Sequence, residues 1–387
     1  MSGSSAPSAP SSGRRLRRQS QALPALNFTA GLYSKWIRDR EAGQAAREYL
    51  AARGFSDVGW LVEQGVGFAR GFGVAAAWRR AAGGGEETAQ DLVVGGVLVE
   101  SLSKEEPHRT WEFMRNRITF AIRRPGGTLG PRGNGEPWET VGFGGRRLGE
   151  EGPKYLNTHE TPHFDKGGLL YGMEWAAPAI RDTKQVVVVE GFMDVLRCRQ
   201  LGIGGVVAPL GTALTEAQIA LVHKCAYNEG PVDWYICLDA DAAGARAAYR
   251  NALVILRNLR PGGSVRLMRL PGGKDPDEAL LAAGEEAHSV WSQAKADSRS
   301  AIGIALEGAE QEGKWDQGPD TFLAALRRAS QAIDQASPGV RDRLREDLYQ
   351  ELRTAGFEPS PYRLQSALES GVDRVPATST PTEKPEP

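Results

Sequence analysis

Hydrophobic and polar positions along the chain predict a mixed fold built from several parts. Residues 41–70 have the pattern of two short helices broken at Gly54, with Ser56 or Asp57 able to cap the second. The segments RITFAI (117–122) and VGFGG (141–145) resemble strands and flank an insertion rich in Gly and Pro. The first half of the chain is therefore predicted to combine helices with a small sheet.

From about residue 181 the pattern changes, because apolar runs now alternate with helical periods. Runs such as QVVVVE (185–190) and DWYICLD (233–239) are typical of strands that are covered on both faces. This alternation favours a parallel sheet with crossover helices. After about residue 286, apolar residues at helical spacing predict packed amphipathic helices. These apolar residues are Phe322, Leu326, Ile333, Leu344, Leu348 and Leu352.

The predicted fold class is therefore α/β, with a mixed α+β N-terminal subdomain, a central parallel sheet and a C-terminal helical subdomain. In chain order, the predicted parts are a disordered basic tail over 1–25, the N-terminal subdomain over 26–180, the sheet domain over 181–285, the helical subdomain over 286–370 and a disordered polar tail over 371–387. The first tail is rich in Ser, Pro, Gly and Arg, a composition that cannot bury enough apolar surface to order itself. A plain basic tail, on a cytoplasmic protein, is favoured over the alternative of an organelle transit peptide.

Composition excludes several classes of protein. The 387 residues are 41% hydrophobic, enough for a substantial core. No apolar run approaches the roughly 20 residues of a membrane span, so no membrane partner is expected. The three widely spaced cysteines indicate neither a disulfide framework nor a zinc site, and we expect them to be packing residues.

The net charge of −1 conceals an uneven distribution. The first 38 residues contain six basic residues and no acid, which leaves a net charge of about −7 on the remainder. Residues 115–147 contain seven arginines and two glutamates. Such a basic stretch is typical of a surface that binds a polyanion.

Acidic residues follow the predicted parallel strands. Glu190, Asp239 and a loop with Asp275 and Asp277 each come after an apolar run. Ligands bind beyond the carboxyl ends of such strands, so we expect these acids at one edge of the sheet. Two further acids belong to the same group, Asp194 and Asp241.

Each aspartate taken alone could instead be a helix N-cap. Six acids at one site, however, would repel one another unless cations were bound. Oxygen ligands without nearby Cys or His favour Mg²⁺ or Mn²⁺ over zinc. Two such ions can serve an in-line phosphoryl transfer.

Four motifs resemble the Toprim module of bacterial DnaG-type primases. They are EGFMD (190–194), APLGTALT (208–215), LDADAAG (238–244) and LPGGKDPDE (270–278). Upstream, RNRITFAI, VGFGGRRLG, PKYLNTHET and FDKGGLLYG resemble the part of the primase polymerase core that precedes Toprim. The resemblance covers roughly residues 45–285, and it implies that the predicted parallel sheet is a Rossmann-like Toprim domain.

The resemblance also implies synthesis of short RNA primers from NTPs on a single-stranded DNA template, with a replicative helicase as a possible partner. Glu190, Asp239, Asp241, Asp275 and Asp277 would hold Mg²⁺, with Asp194 in support. Glu190 is also a candidate for proton transfer, although metal-bound water could serve equally. The residues implied to bind nucleotide phosphates or template are Arg146, Lys154, Asn157 and Lys166, and those implied on the DNA-binding face are Arg115 and Arg117.

The chain departs from the family pattern in several places. DnaG-type primases usually have a zinc-binding domain and a helicase-interacting domain, but no Cys or His ligand set and only a short helical region correspond to them here. Asp165 stands where many relatives have histidine, and the insertion at 126–139 lengthens a loop. Two other functions stay open: another Toprim enzyme, such as a nuclease or topoisomerase, or a catalytically inactive DNA-binding accessory.

Overall fold

The computed structural model describes residues 12–84, 87–101, 109–126, 138–211, 213–225, 230–239, 241–273, 275–310 and 319–354. The chain divides into two compact units, residues 1–174 and 175–387. No described helix is long and apolar enough to cross a membrane.

The first unit combines helices with short strands. Its helices are α1 (Ser12–Arg38), α2 (Gln44–Ala52), α3 (Val58–Glu63), α4 (Val74–Ala81) and α5 (Glu87–Val94). Its strands are β1 (Val66–Ala69), β2 (Leu98–Glu100), β3 (Thr110–Glu112), β4 (Arg117–Pro125), β5 (Trp138–Arg147), β6 (Tyr155–Asn157) and β7 (Leu170–Tyr171). Helix α6 (Met173–Thr183) begins at the end of this unit.

The predicted strands and the helix pair of the first unit are confirmed. An antiparallel sheet has the strand order β1-β4-β5-β6, and residues 117–122 of β4 are buried. Helices α2 and α3 are the two short helices, and Asp57 caps the second by accepting a hydrogen bond from the Trp60 amide at 2.9 Å. The Gly- and Pro-rich insertion falls mostly on residues 127–137, outside the described residues.

The predicted disordered tail over 1–25 requires a correction. Residues 12–25 belong to helix α1, and Ala22, Ala25 and Leu26 are fully buried. These positions continue, at helical spacing, the stripe that includes Tyr33 and Ile37, so the helix extends upstream along its packed face. Residues 1–11 lie outside the described residues.

The second unit alternates strands and helices, as predicted. Its strands are β8 (Gln185–Val188), β9 (Val206–Pro209), β10 (Asp233–Ile236), β11 (Ser264–Leu267) and β12 (Arg299–Ser300). Its helices after α6 are α7 (Phe192–Gln200), α8 (Glu216–Cys225), α9 (Ala242–Asn258), α10 (Pro276–Ala283), α11 (Ala287–Ala296), α12 (Ala301–Glu310), α13 (Pro319–Gln335) and α14 (Arg341–Thr354).

A mainly parallel sheet forms the centre of this unit, in the strand order β12-β11-β10-β8-β9. Strand β10 pairs in parallel with both β8 and β11, while β12 is antiparallel to β11. Val186, Val187, Val188 and Val189 are all buried, as expected for a strand covered on both faces. The parallel pairing brings the carboxyl ends of β8, β10 and β11 to one edge.

The C-terminal helices and the cysteines also follow the prediction. Ile333 on α13 and Leu344, Leu348 and Leu352 on α14 are buried, whereas the side chains of the other two predicted positions, 322 and 326, are not described. The cysteines are buried and free of disulfides; they are Cys198, Cys225 and Cys237. The predicted tail over 371–387 lies outside the described residues.

Candidate active site

Glu190 and Asp239 lie side by side at the carboxyl edge of the parallel sheet. Glu190 follows β8 and Asp239 follows the adjacent β10. The Asp239 amide donates a hydrogen bond to Oε1 of Glu190 at 3.1 Å. Glu190 is exposed and Asp239 is half-buried, so both can meet a ligand beyond the edge.

Asp241 and Asp275 are helix N-caps on the same side of the strands. Oδ1 of Asp241 accepts a hydrogen bond from the Gly244 amide at 2.7 Å, at the start of α9. Oδ1 of Asp275 accepts one from the Glu278 amide at 2.8 Å, at the start of α10. The capping interpretation is thus confirmed for both, but a carboxylate has further lone pairs with which to bind a cation. Asp241 is exposed and Asp275 is half-buried.

The remaining two acids, Asp194 and Asp277, are buried at 5% and 1% exposure. Asp194 accepts hydrogen bonds from the Gly191 amide at 2.8 Å and from the Asp277 amide at 3.2 Å. Burial raises the pKa of Asp194 well above its ordinary value, and the nearby charge of Asp275 raises it further. The six acids therefore form two sets, which we call the open carboxylates (Glu190, Asp239, Asp241 and Asp275) and the buried pair (Asp194 and Asp277).

Sequence reasoning missed Arg197, which is buried beside this pair. Its guanidinium binds the Asp277 carboxylate with N···O distances of 2.9 and 3.0 Å. An arginine inside the apolar stretch FMDVLRC, three residues after Asp194, was the available signal. Its acidic partner is 80 residues away in sequence, and no local pattern could have identified it.

The donor set suits a hard divalent cation. All the open carboxylates offer oxygen, and Mg²⁺ is usually held by one or two carboxylates together with water and substrate phosphates. Within the described ranges, no group of three or more His, Cys, Asp or Glu residues is arranged to hold a metal ion by itself. Glu190 and Asp239 are adjacent at the sheet edge. They fit a metal site in which substrate phosphates and water would provide the remaining ligands.

Gly244 lies in the first turn of α9, against the backbone of the turn that joins β10 to this helix. A Cβ atom at this position would lie 2.0 Å from the carbonyl oxygen of Asp239, far closer than any packing allows. We expect Gly244→Ala to displace Asp239 and to reduce catalysis by about 10- to 100-fold. The measurement is the rate at which the purified, folded variant forms reaction product, compared with the wild-type rate.

Gly31→Ala is the matched control, because nothing lies within 4 Å of a Cβ atom at that helical position. We expect Gly31→Ala to retain wild-type product formation. Equal rates for Gly244→Ala and Gly31→Ala would contradict the role of the turn.

Arg115 lies at a cleft of the first unit that has a volume of about 610 Å³. Arg115 and Lys154 are exposed, as a basic surface for a polyanion requires. Asn157 lies on β6, and Lys166 begins a short 3₁₀ helix; both are half-buried. The cleft is lined by Arg115, Arg117 and Arg147, but also by Glu150 and Glu151.

Arg117 differs from the prediction, because it is only 5% exposed. Its guanidinium donates to the carbonyl of Gly145 at 3.1 Å and to that of Pro153 at 3.0 Å. Burial and the neighbouring charge of Arg147 lower the pKa of the guanidinium, although an arginine keeps its charge in proteins. Arg117 therefore holds the wall of the cleft together, and of these two arginines only Arg115 is proposed to contact DNA.

Replacing Arg117 and Arg115 separately tests this division. We expect Arg117→Met to lower the free energy of unfolding by about 1.5–3 kcal/mol, because charge-assisted hydrogen bonds are lost. Arg115→Met should leave the free energy of unfolding unchanged. It should reduce the slope of log DNA affinity against log salt concentration by about one. Denaturant unfolding measures the stability of each variant, and DNA binding at several salt concentrations measures the slope. A stable Arg117→Met with weakened DNA binding would contradict this assignment.

Arg146 is held between two tyrosines. The pairing of β5 with β6 sets Arg146 opposite Tyr155, and Nη1 donates to the Tyr155 hydroxyl at 2.8 Å. The guanidinium carbon lies 4.6 Å from the ring centre of Tyr49 and 5.2 Å from that of Tyr155. Nε is buried without a hydrogen-bond partner among the described residues. The part of Tyr49, contributed by α2, was missed by sequence reasoning.

Two family models match the chain. One, described as Toprim-like, matches residues 187–280, and the other, described as the N-terminal domain of the DNA primase catalytic core, matches residues 32–177. Residues 187–280, the part of the second unit that carries the acidic sheet edge, are therefore Toprim-like.

Relatives and solved structures agree with this class. DNA primases of Pseudomonas aeruginosa and Halalkalibacterium halodurans are each 35% identical, over 69% and 67% of this chain and 37% and 39% of their own lengths. The chain therefore spans about two fifths of these curated relatives. A DNA primase domain from Pseudomonas aeruginosa superimposes with a TM-score of 0.71 at 29% identity, over 90% of this chain and 99% of that one. A DnaG primase catalytic domain bound to ssDNA gives 0.67 at 29%, over 87% and 98%.

The chain thus contains the catalytic core of the DnaG-type primase family, and the predicted fold class and resemblance are confirmed. Toprim primases generally use divalent metals.

Proposed function

We propose that the protein is a primase, a DNA-directed RNA polymerase that makes short RNA primers from NTPs on single-stranded DNA during replication. The observation that carries this proposal is the set of open carboxylates at one edge of a Toprim-like sheet, in a chain that also has the N-terminal part of the primase core. The alternatives of another Toprim enzyme or an inactive accessory have no comparable support.

Glu190, Asp239, Asp241 and Asp275 would hold the divalent ion, which we propose to be Mg²⁺ or Mn²⁺ rather than zinc, because the donors are hard oxygens. Such an ion would supply positive charge beside the NTP phosphate at which the new bond forms. The buried pair supports the open carboxylates from behind the edge. Glu190 is exposed and can accept the proton of an attacking hydroxyl, since its other contact, with the Asp239 amide, leaves it a second oxygen.

The basic residues of the first unit would bind the anionic substrates. Arg146 is oriented by its two tyrosines, and a planar guanidinium suits bidentate contact with phosphate. Lys154, Asn157 and Lys166 would add contacts to nucleotide phosphates or template, and Arg115 would bind the DNA backbone. Binding of DNA releases counterions, so affinity should fall as salt increases. The structure of a related catalytic domain bound to ssDNA supports a single-stranded template.

The place of action that we propose is supported by the relatives, and the further partner that we propose comes from the family resemblance. The matching DNA primases come from bacteria, which supports a cytoplasmic protein that acts on the bacterial chromosome. A replicative helicase is the further partner we propose, as in the family resemblance, and copurification with a helicase would test it.

One assay tests the proposed reaction. The protein is incubated with single-stranded DNA, labelled NTPs and Mg²⁺ or Mn²⁺, and the products are separated on a denaturing gel. We expect short RNA whose sequence follows the template. Shortened or relaxed DNA would indicate another Toprim enzyme, and DNA binding without any product would indicate an accessory; either result would reject the primase.

A further inference from the structure

Arg197 is a charged residue in the interior of the Toprim-like domain. It lies on α7, three residues after Asp194, and it is 3% exposed. A buried guanidinium is unfavourable unless it is paired and hydrogen-bonded. Its partners therefore show what the residue does.

The guanidinium of Arg197 binds a side chain in the first turn of α10. Nε and Nη2 donate to Oδ1 of Asp277 at 3.0 and 2.9 Å, and Nη1 donates to Oε1 of Gln200. The two side chains of the ion pair are only 4% and 2% exposed. Charge-assisted hydrogen bonds from a rigid, planar donor fix the relative position of two elements.

This ion pair extends into a continuous chain of contacts. The Asp277 amide donates to Oδ1 of Asp194, and the Gly191 amide donates to Oδ2 of the same side chain. The start of α7, directly after Glu190, is thereby tied to the start of α10. Asp275, an open carboxylate, caps α10 two residues before Asp277, so its position depends on the same contacts.

We propose that Arg197 is a positioning residue for the open carboxylates, and that Asp277 is its buried counter-ion rather than a metal ligand. The proposal rests on the proposed function, because it assumes that the open carboxylates bind a divalent ion. It departs from the expectation that Asp277 itself holds Mg²⁺.

Accessibility and charge both favour this division. Oδ1 of Asp277 already accepts two charge-assisted hydrogen bonds from Arg197, and the carboxylate is almost fully enclosed. Mg²⁺ dehydrates reluctantly and usually keeps several waters, so it binds accessible oxygens in preference to enclosed ones. The positive charge of Arg197 neutralises Asp277. The divalent ion is therefore expected to bind the open carboxylates instead.

The first test compares two arginines of the same helix. Arg197→Met should weaken Mn²⁺ binding, measured by titration calorimetry, by about 10- to 100-fold, because outer contacts orient metal ligands. Arg199→Met removes the same charge from an exposed position of α7 and should change the affinity by less than about twofold. Equal affinities for the two variants would overturn the positioning role.

The second test separates a counter-ion from a ligand. Asp277→Leu alone removes the counter-ion of the buried Arg197, and it should weaken Mn²⁺ binding as much as Arg197→Met does. The double variant Arg197→Met/Asp277→Leu replaces the pair by apolar groups and should recover to within roughly threefold of wild type. A double variant as weak as Asp277→Leu is the result expected if Asp277 were a metal ligand, and it would overturn the proposal.

Arg197→Lys provides a measurement in case the apolar variants fail to fold. This variant keeps the positive charge but loses the planar guanidinium that donates two hydrogen bonds to Asp277. Amide hydrogen exchange over residues 275–283 of the metal-free protein should therefore become faster than in wild type. Unchanged exchange would overturn the proposal. Failure of the wild-type protein to take up Mn²⁺ would reject the proposed metal chemistry, whereas uptake that is equal in wild type and Arg197→Met would reject only the role of Arg197.

Discussion

Asp239→Ala is expected to reduce primer synthesis by on the order of 10²- to 10³-fold, while retention of single-stranded DNA changes by less than about twofold. Asp239 is half-buried at the end of β10 and its amide is bonded to Glu190, so it is the central member of the open carboxylates. The substitution would delete a proposed oxygen ligand, but it leaves the basic residues of the first unit unchanged. Labelled RNA on a gel and filter binding of DNA measure the two effects.

Asp182→Ala is the control for this prediction. Asp182 is an exposed aspartate on α6, so the same chemical change is made away from the acidic edge. We expect Asp182→Ala to behave as wild type. Synthesis by Asp239→Ala at the rate of Asp182→Ala would refute the assignment of the edge.

Arg146→Met should have the second largest effect, a loss of about 100-fold in kcat/KM for NTPs. The guanidinium is preorganised by Tyr49 and Tyr155, and a preorganised donor contributes most to the binding of developing charge. Arg146→Lys should recover little of this loss, because an ammonium cannot reproduce the planar fork. Steady-state synthesis at varied NTP concentration measures the effect.

Tyr155→Phe should give a smaller loss, of about three- to tenfold, because it removes only the hydroxyl that accepts the 2.8 Å hydrogen bond from Arg146. Arg124 lies on the neighbouring strand β4 and contacts Glu139 at 3.7 Å. We expect Arg124→Met to keep kcat/KM near the wild-type value. If Arg124→Met and Arg146→Met lost equal activity, general loss of positive charge would explain the result and the specific role of Arg146 would be wrong.

The acidic edge could be predicted from the sequence because it depends on one rule of topology. Apolar runs such as residues 185–189 identify parallel strands, and parallel strands end at the same edge. The rule gives the position of a residue after a strand, but not the burial of its side chain. That is why Asp277, which is enclosed, was grouped with Asp275, which is half-buried.

Long-range contacts explain what the sequence could not provide. Arg115 and Arg117 are two residues apart in one basic stretch, yet only the second is enclosed, by carbonyls of Gly145 and Pro153. Helix α1 was predicted as tail in its first half because local composition outweighed a weak stripe of small apolar residues. In both cases the deciding partners are distant in sequence.

The central claim is that the open carboxylates share one divalent-ion site, and cleavage by bound iron tests it most directly. Fe²⁺ is expected to occupy a site that suits Mg²⁺, and with ascorbate and peroxide it generates hydroxyl radicals that cut the backbone nearby. We predict cuts near residues 190, 239 and 275 that excess Mg²⁺ suppresses and that Asp239→Ala lacks. Cuts confined to other segments, or cuts at these positions that Mg²⁺ does not suppress, would contradict the account.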